Sequence, residues 1–207
     1  LNRWWTRTLA EDFNLESVLE LEFETHYKRF LMPTVRGSDR GSKKRYAGIA
    51  SSPAGDQLIF KGLERVRSDW TVLAKNFQEE LYRRIFYDEE YELFVKTLTS
   101  ELLDGLRDDD LVYRKKLRKN LREYERSTPQ HVKAGKLYQS RGLNTPRKGD
   151  TISYVMTVDG PEPASKRQSP IDYQHYIERQ LKPVADSVLS FKGKTYESII
   201  NSQLPLF

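Results

Sequence analysis

The chain has 207 residues, no cysteine, and 35 Lys and Arg against 30 Asp and Glu, a formal charge of +5. That length suits one domain, or a small domain with an appendage, and buries a core without disulfide or metal staples; the lack of cysteine fits a reducing cytoplasm. No apolar run reaches the roughly 18 residues of a membrane span, and the opening Leu1-Asn2-Arg3-Trp4-Trp5, with neither Met nor a basic-then-apolar export layout, reads as a cut from a longer chain.

Residues 1–14 read as a helix with Trp4, Trp5 and Leu9 on one side. From Ser17 to Glu24 the residues alternate, with Leu19, Leu21 and Phe23 facing one way and Glu20, Glu22 and Glu24 the other, which predicts a half-buried strand. Tyr27 to Met32 is a second extended run stopped by Pro33, and Gly37 to Ser42 is rich in turn residues. Strands at Lys43–Ala50 and Gln57–Phe60 flank a hairpin loop, Ser51–Asp56.

Beyond residue 69 the pattern turns helical. Ser68 or Asp69 is expected to cap a helix with the stripe Trp70, Leu73, Ala74, Phe77, Leu81 and Ile85. Asp88 is expected to cap another through Tyr91, Phe94, Val95, Leu98 and Leu102, stopped by Gly105. Leu111–Tyr124 is ambiguous at its start and helical at its end, and Pro129 suits the first turn of a helix through Tyr138. A polar loop over 139–150 leads to a short strand at Thr151–Thr157, then a Pro-rich loop. A helix from Asp172 to Leu189, disturbed at Pro183, and a short one at Lys194–Ser202 complete the chain. The expected class is α+β: a small antiparallel sheet with one helix, then a mostly helical part with one short strand.

Charge is unevenly spread. Residues 75–110 carry 5 basic and 11 acidic side chains, whereas 111–150 carry 12 basic and 3 acidic, which suits a positive surface for a polyanion. His26, His131 and His175 lack ligand-like or triad-like spacing, and Asp108-Asp109-Asp110 reads as a solvated loop past a helix stop. Gly149-Asp150-Thr151 is followed by Ile152, where a second carboxylate would be needed for a metal turn.

Three basic elements remain. In Lys43-Lys44-Arg45-Tyr46-Ala47-Gly48, strand alternation puts Lys44 and Tyr46 on one face and Lys43 and Arg45 on the other, so one face can grip a backbone while the other anchors the strand. Lys61-Gly62-Leu63-Glu64, with Arg67 and Asp69, leads from strand to helix, with Gly62 permitting close backbone approach. In Tyr113–Tyr124, if helical, Lys115, Lys119, Arg122 and Arg126 form a stripe opposite Tyr113, Leu117, Leu121 and Tyr124; Arg114 and Lys116 add charge. None of these is a base-reading device, so the expected binding is independent of sequence.

Lys43–Gly48 resembles the lysine-rich palm motif of family B DNA polymerases, in which a lysine and the tyrosine approach the primer end. Lys61–Glu64 with Arg67 and Asp69 is similar to the family's palm-to-thumb segment. Leu111–Tyr124, Pro129-Gln130-His131-Val132 and Ser169–Tyr176 resemble its thumb segments in their usual order. The likeness is greatest to the bacterial members and covers essentially the whole chain. It implies a fragment of a DNA-directed DNA polymerase, a nucleotidyltransferase of replication and repair synthesis: the end of the palm over 1–69, the thumb over 70–202, and a tail at 203–207.

The resemblance assigns primer–template DNA to Lys43, Lys44, Arg45, Tyr46, Lys61, Arg67, Arg114, Lys115, Lys116, Lys119 and Arg122. It places the aspartates that hold two Mg²⁺ ions upstream of Leu1, so the fragment is expected to hold no cofactor and to extend no primer alone. Glu22 is either an accessory carboxylate beside those metals or a solvent-facing strand residue. Gln203-Leu204-Pro205-Leu206-Phe207 resembles the peptide by which bacterial polymerases hold the β sliding clamp, with Gln203 fixing register and Leu204, Leu206 and Phe207 entering pockets. The implied partners are primer–template DNA, the clamp and the remainder of the polymerase chain, with no membrane. A stand-alone nucleic-acid-binding module or a clamp-binding adaptor are the competing readings.

Overall fold

The structure is a computed structural model that describes residues 1–33, 42, 44–125 and 128–202. Helix α1 (Asn2–Phe13) opens the chain and ends on Asn14 in the left-handed region, φ 51°. It buries no residue. The strand expected over Ser17–Glu24 does not form: the segment has no ladder partner and no core beneath it, and Phe23 is 85% exposed. Alternation marks a face that needs covering, and within the described residues nothing covers this one. Among the described residues the Asn2 amide secures the arm, donating to Leu21 O and accepting from Leu21 N, both at 2.9 Å.

Three strands follow, β1 (Tyr27–Leu31), β2 (Tyr46–Ser52) and β3 (Gly55–Lys61), antiparallel in the order β1-β2-β3. The expected hairpin tightens to a two-residue turn, because Ser52 pairs with Gly55, which adopts φ 113°. Gly48 is needed where β1 crosses β2: a Cβ there would lie 2.5 Å from the Tyr27 ring and 2.8 Å from Arg29 O.

Helix α2 (Val72–Phe86) is capped by Thr71, whose Oγ1 accepts from Ala74 N, rather than by Ser68 or Asp69. Asp69 is otherwise engaged, by Arg67 and Lys115. Helix α3 (Glu92–Leu103) starts later than expected. Asp88 sits at φ 54° paired with Arg29, and Glu90 Oε1 accepts from Leu93 N in the first turn. Gly105, at φ 75°, follows the helix end.

The largest departure is in Leu111–Tyr124: its ambiguous start forms a strand, β4 (Tyr113–Lys116), and its end, expected to be helical, forms only a short 3₁₀ turn at Leu121–Glu123. β4 pairs with β5 (Thr151–Thr157), and β5 pairs with β6 (Gly160–Pro163) in a second three-stranded antiparallel sheet. The ladder edge of β5 and the rings of Tyr154 and Tyr176, 5.1 and 5.7 Å from that of Tyr113, outweigh local helical periodicity. Strand β6 lies in the expected Pro-rich loop; Pro161 and Pro163 are tolerated because it is an edge strand.

Helix α4 (Gln130–Lys136) begins after Pro129. A continuous helical run then passes through α5 (Tyr173–Tyr176), a π-helical turn over Ile177–Leu181 and α6 (Lys182–Leu189). The wide turn just precedes Pro183, whose ring would otherwise press on the carbonyl of Arg179. α7 (Tyr196–Ile200) closes the described chain.

One main core joins Ala47, Ile49 and Phe60 of the first sheet to Leu73, Phe77 and Leu81 of α2, Val95 and Leu102 of α3, and Val184 and Val188 of α6. It therefore spans the change in composition near residue 70. A smaller cluster, Leu117, Leu121, Val132, Ala134 and Ile152, lies between the second sheet and α4. The α+β class expected from the sequence is observed, with a second sheet where one strand was foreseen.

Candidate nucleic-acid interface

The entry to β2 and the exit of β3 meet at one sheet end, since Tyr46 pairs with Lys61. Gly62 takes φ 64°, and a Cβ there would fall 2.2 Å from the carbonyl oxygen of Lys44. The close approach that this glycine permits is to the chain's own strand, and it puts Lys44 beside Lys61-Gly62. Both lysines are exposed. Tyr46 is half-buried against Tyr27 and Phe30, with ring centroids 6.0 and 5.2 Å away.

Arg45, on the opposite face, is turned inward. Its guanidinium pairs with Glu64, which is only 7% exposed and also accepts from Gln78 Nε2 at 2.8 Å. Gln78 Oε1 in turn accepts from Arg65 N at 2.7 Å. The network fixes the strand entry to α2, which is an anchoring task.

Arg67 is likewise held, by a two-pronged contact with Asp69: Nε to Oδ1 at 3.1 Å and Nη2 to Oδ2 at 3.0 Å. Lys115 Nζ of β4 reaches the same Oδ2 at 3.2 Å. The hydrogen bond from Arg67, opposed by partial burial and reinforced by Lys115, holds the Asp69 carboxyl down at about 2. Asp69 thus ties the segment that follows β3 to the second sheet across 46 positions of sequence.

Beside Asp69 a cleft of about 510 Å³ opens, lined by Tyr113, Lys115, Lys116, Arg118, Tyr124 and His131 among others. Burial, with Lys115 nearby, lowers the pKa of His131. On β4 the alternation leaves Arg114 and Lys116 exposed and Tyr113 and Lys115 half-buried, and the Tyr113 hydroxyl lies 3.0 Å from His175 Nε2. The stripe of Lys115, Lys119 and Arg122 foreseen on a helix is therefore not a stripe. Lys115 faces the cleft, while Lys119 and Arg122 lie exposed around the Asn120–Glu123 capping box.

The ladder continues past β4, with Leu117 N donating to Asp150 O at 2.8 Å and Gly149 N to Leu117 O at 2.9 Å. Lys148 N also donates to Asn120 Oδ1 at 3.2 Å. These bonds bring Arg147 and Lys148 beside Arg118 and Lys119 at one basic tip. Arg118, His131, Arg147 and Lys148 were not among the DNA-binding residues expected from the sequence. The excess charge of 111–150 was a signal for them, but the pairing that gathers them was not.

Glu22 stands exposed on the irregular arm. Among the described residues no three His, Cys, Asp or Glu side chains gather to suit a metal ion. Asp108 is occupied structurally, accepting from the Tyr173 hydroxyl at 2.9 Å. No described helix is long and apolar enough to cross a membrane. Lys43, Arg126 and the tail residues Gln203, Leu204, Leu206 and Phe207 lie outside the described residues.

The model of DNA polymerase family B matches residues 6–192, and the chain belongs to that family. It is 49% identical to DNA polymerase II of Escherichia coli (strain K12) over 213 aligned residues, covering 100% of this chain and 27% of that protein. It is 31% identical to a DNA polymerase of Desulfurococcus sp. (strain Tok) over 89% of this chain and 24% of that protein. The fold is similar to that of the family B DNA polymerase from Pyrobaculum calidifontis, with a TM-score of 0.60 and 24% identity, covering 100% of this chain and 25% of the other. The chain spans about a quarter of the length of these relatives.

Proposed function

We propose that this chain is the primer–template-gripping part of a bacterial DNA polymerase II-like enzyme, with 1–69 as the end of the palm and 70–202 as the thumb. The observation that carries this reading is the basic cleft beside Asp69, where the segment that follows β3 is tied to β4 through Lys115. In this reading Lys44, Lys61, Arg114, Lys115, Lys116, Lys119 and Arg122 meet phosphates. Arg45, Tyr46 and Arg67 position them, through Glu64, Tyr27 and Asp69 respectively. A backbone grip without base readout gives affinity that depends on salt rather than sequence.

The two Mg²⁺ ions of the full enzyme belong with residues outside this chain, whose own part is to bind and orient DNA. The exposed row Leu19, Leu21 and Phe23 would be covered by the remainder of the polymerase, and residues 203–207 would engage the sliding clamp. Fluorescence anisotropy of a labelled primer–template against salt tests the central reading. We expect binding that weakens steeply with salt and is equal for unrelated duplex sequences; no duplex binding at low salt overturns it. Primer extension by the chain alone would contradict the expected inactivity, and unchanged clamp affinity after deletion of Gln203–Phe207 would overturn the tail assignment.

A further inference from the structure

The cleft contains one group that is at odds with gripping a polyanion. Of the described residues that line it, Asp69 is the one carboxylate, and it is bonded to a lysine assigned to DNA. Arg67 already takes both carboxylate oxygens in a fork, so Lys115 is a third donor on an occupied acceptor. The Lys115 side chain is 41% exposed and lines the cleft, within reach of a ligand that enters it. A phosphate oxygen arriving in the cleft offers Lys115 an anion with no competing fork.

Building on the nucleic-acid reading of this cleft, we propose that Asp69 is a positioning residue that stands in for a backbone phosphate. It holds Lys115 in the cleft until a phosphate displaces it, while Arg67 keeps the carboxylate. Lys115 then enters the complex already extended, but each binding event must first break the Lys115–Asp69 contact. Solvated pairs of this kind are weak, so removing the stand-in tightens duplex binding by about two- to fivefold.

The test is anisotropy of the 207-residue chain on a labelled primer–template duplex at low salt, for the wild type, D69N, K115A and D69N/K115A. D69S is read beside D69N so that a packing fault of one replacement does not decide the outcome. We expect D69N and D69S to tighten binding, and D69N to have no effect in the K115A background. Tightening that persists without Lys115, or an absent or opposite effect of Asp69 replacement while K115A weakens binding, overturns the stand-in role and leaves the nucleic-acid reading standing. A wild-type chain that binds no duplex overturns both.

Discussion

The two basic strand segments, Lys44-Arg45-Tyr46 at the entry to β2 and Tyr113-Arg114-Lys115-Lys116 along β4, use one alternating design in different surroundings. In the first, the inward residue is a cation, Arg45, tied to the nearly buried Glu64, and the outward one is Lys44. In the second, the half-buried side holds Tyr113, stacked on Tyr154 and Tyr176, and Lys115, paired with Asp69, and the outward cations are Arg114 and Lys116. The difference teaches that a basic residue's role is set by what its strand packs against. A cation turned onto a buried carboxylate anchors the fold, while one on the side of the strand opposite an aromatic stack is left for a ligand.

The largest expected effect breaks the aromatic side of this comparison. Tyr113→Ala removes the stack with Tyr154 and Tyr176 and the contact to His175, and should cost about 3–5 kcal/mol in denaturant unfolding. A loss below about 1 kcal/mol would show that β4 does not depend on its inward ring. On the anchoring side, Glu64→Ala leaves Arg45 and Gln78 without their acceptor and should cost about 1–3 kcal/mol. Lys44→Ala, on the outward face of the same strand, should stay within roughly 0.5 kcal/mol of the parent. Equal losses for these two variants would erase the distinction between anchor and grip.

A smaller effect concerns acid stability. Asp69 is held at about 2, below the ordinary aspartate value of 3.8, so its contribution is present above the unfolded value and is lost as pH falls from near 4 through about 2. Asp69 is only partly buried and its partner Arg67 is 48% exposed, so water screens the pair and the effect should be modest. In acid titration of stability, D69N should show a shallower decline than the parent over that window. Identical slopes would mean that Arg67 and Lys115 do not stabilise the carboxylate in the folded chain.

Much of this architecture was legible in the sequence. The β2–β3 hairpin followed from its turn residues, and α2, α3 and the 173–189 run from their apolar stripes, with Pro183 marking the disturbance. β4 was not legible, because Tyr113, Leu117, Leu121 and Tyr124 fit a helical stripe as well as a strand that turns into a loop. Only the edge of β5, some forty residues away in sequence, decides between them. β6 was hidden by Pro161 and Pro163, which argue against a strand unless it is known to be an edge. The alternation at Leu19, Leu21 and Phe23 was real, but it records a face with no cover among the described residues.

The site was half legible for the same reason. Composition located the positive charge, yet which cations are taken by Glu64 and Asp69 depends on contacts 19 and 46 positions apart.

Whether cations from both sheets serve one nucleic-acid backbone is tested most directly by the salt dependence of duplex affinity in K44A, K115A and the double variant. If both lysines meet phosphates of one duplex, each substitution lowers the slope of log affinity against log salt by about 0.9, and the double variant by about twice that. A slope unchanged in either single variant would contradict the shared grip.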